Sequence, residues 1–162
     1  MLRTRTRTPL KTPPPDTSTP PVIVLDTNVV LDWLLFRNPE CERLGAWLLM
    51  GRARWLATPA MRDELTHVLA RGRFDKWRPQ ATLWASWDAV SIRVSEPAAA
   101  SPAARLRCTD TDDQKFIDLA LASGARWLLS RDRAVLKLAR RARAHGLEIQ
   151  TPRDWLAARE LD

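Results

Sequence analysis

A parallel α/β fold, with helices covering both faces of one sheet, is what this sequence of 162 residues predicts. Two observations carry the prediction. Short apolar runs of strand length alternate with longer stretches whose apolar residues recur at helical spacing. Thr-Pro pairs and single glycines stand where those helices would begin and end. Strands separated by helices join as parallel neighbours, and the connecting helices pack on the two faces of the sheet.

Residues 1–21 alternate Arg with Thr and then turn Pro-rich, with almost nothing apolar to bury, so a disordered basic tail is expected there. The composition changes at Pro21, and 22–162 reads as one folded domain. Val22-Ile23-Val24-Leu25 is an apolar run without alternation, as in a strand covered on both faces. Helical stretches follow through Leu35 and over 40–50. Arg54-Trp55-Leu56-Ala57 reads as the second strand. Thr58 and Pro59 suit the N-cap and first position of a helix reaching to about Arg71. A helix over 79–90 leads to a strand at 91–94, and 96–107 reads as loop or irregular helix. A helix over 112–123 stops at Gly124. Trp127-Leu128-Leu129-Ser130 is the fourth strand, and a helix runs on to His145 and Gly146. The fifth strand is 147–150, and Thr151-Pro152 opens the last helix.

The net charge is +7. Arg3, Arg5, Arg7 and Lys11 against Asp16 place +3 of it in the tail, which leaves +4 on the folded part. That balance suits a polyanionic partner such as nucleic acid. Cys41 and Cys108 are far apart and form no CxxC, which argues against a disulfide framework and a zinc site. No apolar run reaches the roughly 18 residues of a membrane span. Pro13 to Pro15 stand where a signal peptide would be apolar, so a cytoplasmic location is expected. Eight tryptophans and no tyrosine read, with the Arg and Ala richness, as compositional bias.

Ligands of doubly wound sheets bind beyond the carboxyl ends of the strands, so polar residues at those ends are the candidates. Asp26 ends the first strand, where it is either an N-cap or a ligand. Glu64 is three residues after Met61 and four before Val68, inside the apolar stripe of its helix, while Asp63 points away. An inward carboxylate needs an ion pair, for which an Arg is at hand, or a metal. In Asp110-Thr111-Asp112-Asp113, Asp113 shares the face of Phe116, Ile117 and Ala120, whereas Asp110 and Asp112 are accounted for by the helix dipole. Asp132 follows the fourth strand as Asp26 follows the first. Carboxylates gathered at one sheet edge repel, and a hard divalent cation removes that penalty; oxygen-only ligands suit Mg²⁺ or Mn²⁺. Two such ions can activate water and stabilise the leaving oxygen of a phosphodiester.

The run Val24-Leu25-Asp26-Thr27-Asn28-Val29-Val30 resembles the opening strand of PIN-domain nucleases. Glu64 in Pro59-Ala60-Met61-Arg62-Asp63-Glu64-Leu65 resembles their second acid, residues 108–120 their third motif, with Asp113 at the ligand position, and Ser130-Arg131-Asp132 their fourth. The resemblance implies a three-layer α/β/α domain with about five parallel strands. It implies an endoribonuclease that hydrolyses RNA by metal-activated water, with Mg²⁺ or Mn²⁺ held by Asp26, Glu64, Asp113 and Asp132. It also implies the toxin of a bacterial toxin–antitoxin pair, a homodimer blocked by a small antitoxin. Asn28 would orient Asp26 or contact phosphate, with Ser130 and Asp112 in support. Arg131 stands where the family usually has Gly, and would either contact RNA or obstruct it. Thr111 stands where Pro is common. Arg133, Lys137, Arg140, Arg141 and Arg143 form a basic stretch after Asp132 that would steer phosphates or stay solvated. Trp77, Trp84 and Trp87 offer base stacking, though at helical spacing Trp84 and Trp87 read as core or dimer contacts. A non-catalytic PIN-like module that binds RNA or regulates is the alternative.

Overall fold

The computed structural model describes residues 19–77, 80–99 and 105–160. Its elements are β1 (Val22–Leu25), α1 (Thr27–Leu34), α2 (Pro39–Leu49), β2 (Arg54–Ala57), α3 (Pro59–Ala70), α4 (Gln80–Val90) and β3 (Ile92–Arg93). After a short 3-10 turn (Thr111–Asp113) come α5 (Gln114–Ala122), β4 (Trp127–Leu129), α6 (Arg133–Leu136), α7 (Ala139–Ala142), a second 3-10 turn (Arg143–His145), β5 (Glu148–Gln150) and α8 (Pro152–Ala157). The expected tail lies outside the described residues up to position 18, as do the expected helix start at Pro79 and part of the 96–107 loop.

All strand pairs are parallel, and the sheet order is β3-β2-β1-β4-β5. Ile23 aligns with Trp55 on one side and Trp127 on the other; Leu25 aligns with Leu129, and Leu129 with Gln150. Ile23, Val24 and Leu25 are buried in succession, as are Trp127, Leu128 and Leu129. Successive strand residues face opposite ways, so helices must cover both faces. This is the α/β/α arrangement expected from the sequence.

Tryptophan turns out to be architectural, not compositional noise. Trp55 and Trp127 flank Ile23 on one face of the sheet. Trp33 and Trp87 pack edge-on against Trp55 at 5.7 and 4.7 Å, and Trp155 packs against Trp127 at 5.6 Å and Trp47 at 5.3 Å. Such edge-to-face contacts contribute beyond the area they bury. Trp87 therefore belongs to the core, Trp84 lies under the Arg62 guanidinium at 4.3 Å, and Trp77 packs on Phe36. A Cβ added at Gly45 on α2 would come within 2.1 Å of the indole Nε1 of buried Trp33. Gly45→Ala is therefore expected to destabilise the fold by about 1 kcal/mol net. The overpacking costs about 1–3 kcal/mol, against about 1 kcal/mol of helix propensity gained. A lowered denaturation midpoint would show it; a raised midpoint would contradict this packing.

Two local expectations need correction. Thr58 stands at the N-cap of α3 but makes no capping hydrogen bond; Glu96 reaches over to accept the Ala60 N–H at 2.8 Å instead. The stretch 133–145 is not one helix. At Leu138 the N–H turns back three residues to Val135 (3.0 Å) instead of four, which breaks the α-helical ladder between α6 and α7. Val135, Leu138 and Ala142 nevertheless all stay buried.

Candidate active site at the switch point

The chain grows outward from β1 through β2 to β3, then crosses to β4 on the other flank of β1. Beyond the carboxyl ends of β1 and β4, where the order reverses, a doubly wound sheet opens its ligand crevice. Asp26 leaves β1 and Ser130 leaves β4 at this point, and the Asp26 N–H bonds to the Leu129 carbonyl at 2.9 Å.

Asp26 sits at the N-cap of α1, but its side chain caps nothing. Its Oδ2 instead accepts the hydroxyl of fully buried Ser130 at 2.5 Å, and Asn28 Nδ2 lies at 3.5 Å. The same Ser130 oxygen accepts the Asp132 N–H at 2.9 Å, so one hydroxyl ties two acids together. Asp132 does cap α6, through Oδ1 to the Ala134 N–H at 2.8 Å. Asp110 caps the 3-10 turn in the same way, through Oδ1 to the Asp112 N–H at 3.0 Å. One oxygen of a carboxylate can serve the helix while the other faces the site. One oxygen each of Asp110, Asp113 and Asp132 lies within 4.8 Å of the others.

Asp113 is 8% exposed, and its buried Oδ2 has no hydrogen-bond partner. An orphaned carboxylate oxygen among other carboxylates is costly unless something positive reaches it. Burial pushes Asp113 up to about 7, with the charges of Asp26, Asp132 and Asp110 adding to the effect. Burial likewise pushes Asp26 up to about 6; the Ser130 hydroxyl opposes this, and the Glu64 charge reinforces it. A pKa raised by folding favours the protonated fold. Its contribution is complete below the ordinary carboxyl range and is lost as pH rises through about 6 and then about 7. In EDTA the melting temperature should therefore fall between about pH 5 and about pH 8, and saturating Mg²⁺ should flatten that slope. A pH-independent melting temperature in EDTA would contradict the strain in this cluster.

The remaining expected residues take definite positions. Glu64 is half-buried, accepts the Thr27 hydroxyl, and pairs with Lys115 at 3.0 Å. The inward carboxylate thus has an ion-pair partner, and it is Lys, not Arg. Asn28 Oδ1 accepts the Arg131 N–H at 3.3 Å. The Arg131 guanidinium is drawn towards α1 and α2, with Nε at 2.5 Å from Asp32 and Nη2 at 3.4 Å from Glu40. Asp112 is exposed, and its carbonyl accepts from Lys115 at 2.5 Å. Sequence reasoning missed Asp110 and Lys115. Asp110 precedes its helix, so no periodicity fixes its direction, and Lys115 looks like any helix-surface lysine. Cys41 and Cys108 are buried and free. Among the described residues, no helix is long and apolar enough to cross a membrane.

The fold and site together define a doubly wound α/β domain with an acidic crevice at its switch point. The PIN domain model matches residues 22–134, and the chain belongs to the PIN domain family. PIN domains are generally nucleases. Among solved structures, a chain in the crystal structure of VapBC2 from Rickettsia felis bound to a DNA fragment from their promoter is similar. It has 12% identity and a TM-score of 0.52, with 80% of this chain and 98% of that chain covered, a likeness of fold. No curated protein matches by sequence.

Proposed function

We propose that this protein is a Mg²⁺- or Mn²⁺-dependent endoribonuclease acting as the toxin of a toxin–antitoxin pair. The observation that carries the metal site is the buried, unpartnered Oδ2 of Asp113 within a group of carboxylates. Hard oxygen donors of this kind fit Mg²⁺ or Mn²⁺. Asp26, Asp110, Asp113 and Asp132 would hold the cation. When bound, it would lower the pKa of water and offset the charge of the scissile phosphate. The chain's own part is positional. Ser130 fixes Asp26 and the Asp132 backbone relative to one another, and Asn28 links Asp26 to the Arg131 backbone. The exposed cations Arg133, Lys137, Arg140, Arg141 and Arg143 follow Asp132 directly and would draw RNA phosphates to the crevice. The antitoxin partner is supported by family membership and by the fold shared with a VapBC2 chain. A homodimer is proposed on the same resemblance.

Purified full-length protein should cut single-stranded RNA in Mn²⁺ to leave 5′-phosphate and 3′-hydroxyl ends, and EDTA or Asp26→Asn should stop it. Equal cutting by Asp26→Asn would trace the activity to a contaminant and sink the reading.

A further inference from the structure

Glu64 differs from the other acids of the crevice in that its charge is already met. Its Oε2 accepts the Thr27 hydroxyl, and its Oε1 accepts from Lys115 Nζ at 3.0 Å. The set of acids whose oxygens converge, Asp110, Asp113 and Asp132, includes neither Glu64 nor Asp26, but of these two it is Glu64 that is paired with a cation. Lys115 is anchored from two directions, because its ammonium also donates to the Asp112 carbonyl at 2.5 Å. Its side chain is 24% exposed, and its Nζ lies over the Phe116 ring at 5.2 Å. An ammonium has three donors, and these two bonds leave one of them. A fixed cation at the rim of an acidic crevice, with a donor to spare and solvent access, suits a phosphate oxygen. Such charge-assisted bonds are among the stronger ones available to the chain.

We infer that Lys115 binds an RNA phosphate beside the carboxylate cluster, and that Glu64 holds Lys115 in place for this and does not ligate the cation. The inference rests on the nuclease reading above. Lys115 supplies a fixed positive charge on the substrate side of the crevice, and Glu64 acts through it as a positioning residue. Removing Glu64 should therefore affect RNA more than metal.

Two measurements on the full chain separate these roles. Fluorescence anisotropy with a short labelled single-stranded RNA in EDTA reads phosphate contact without cleavage. Calorimetric titration with Mn²⁺ in the absence of RNA reads ligation. Lys115→Met should weaken RNA binding about tenfold and reduce the slope of log affinity against log salt by about 0.7, the share of one phosphate on a single strand. Lys115→Arg should restore that slope, since the charge returns. Glu64→Gln should weaken RNA binding while leaving Mn²⁺ uptake unchanged, whereas Asp113→Asn should lose it. An unaltered salt slope in Lys115→Met would overturn the inference. So would a loss of Mn²⁺ uptake in Glu64→Gln matching that in Asp113→Asn. If the wild type neither takes up Mn²⁺ nor cuts RNA, the nuclease reading falls and this inference falls with it.

Discussion

Asp113→Asn is expected to abolish RNA cleavage while making the metal-free protein harder to melt. The two effects have opposite signs and one cause. Asp113 is a buried acid of the cluster, and one of its oxygens meets no donor. Its burial and the charges of Asp26, Asp132 and Asp110 hold its pKa near 7, so at higher pH the fold carries a charge it does not accommodate. An amide of the same shape removes that charge, and the melting temperature in EDTA at about pH 8 should rise. On the proposed function, the same change removes a cation ligand. Losses of about 100-fold or more follow when electrostatic stabilisation at a reacting phosphate is withdrawn. A cation present at a hundred times its dissociation constant stabilises the wild type by about 2.7 kcal/mol. For a chain of this length that is roughly 5–10 °C. Asp113→Asn should show little of this shift. Thermal melts with and without Mn²⁺, beside a gel assay of cleavage, test all three outcomes. A variant that melts lower in EDTA than the wild type would show that Asp113 is a structural hydrogen-bonding group and not a strained ligand.

Trp155→Ala should cost about 3–5 kcal/mol, a large fraction of the stability of any domain of this size. Trp155 is fully buried although it lies beyond the part of the chain that the family model matches. It sits on α8, a helix of six residues, too short to persist alone. The local signals are good: Thr151 caps through the Asp154 N–H at 3.1 Å, and Pro152 takes the first turn. Buried Pro152, Trp155 and Leu156 hold α8 to the domain, and the indole is wedged edge-on between Trp47 and Trp127 with the Arg159 guanidinium 4.1 Å from its ring. Urea unfolding should show a lower midpoint with an unchanged slope. Trp155→Phe, which keeps an aromatic ring and removes the buried indole N–H that lacks a partner, should lose much less. Equal losses in both variants would mean that the edge-on packing described here does not hold the helix.

Much of the site was legible because it is written locally. Asp26 and Asp132 follow apolar strands, and Asp113 keeps helical register with Phe116, Ile117 and Ala120, which the fold buries as expected. The N-cap explanation set against Asp26 and Asp132 holds for Asp132 and fails for Asp26, while Asp110, read as a helix-dipole acid, is itself a cap. A sequence cannot show that one carboxylate oxygen caps a helix while the other faces a crevice. Arg131 stayed open for a similar reason. Whether it reaches RNA or turns away depends on Asp32 and Glu40, which sit on two earlier helices.

By itself, then, the sequence determined where the strands and most of the helices lie, which acids stand at strand ends or face inward, and the family to which they point. These follow from periodicity and caps, which act within a few residues. The tertiary structure decided which of them meet. Only the strand order, with β4 beside β1, brings Ser130 to Asp26 across 104 positions of chain. Only helix packing pairs Glu64 with Lys115 and gathers Trp33, Trp55, Trp87, Trp127 and Trp155 into one core. Such contacts depend on side-chain direction in three dimensions, and local pattern carries no record of it.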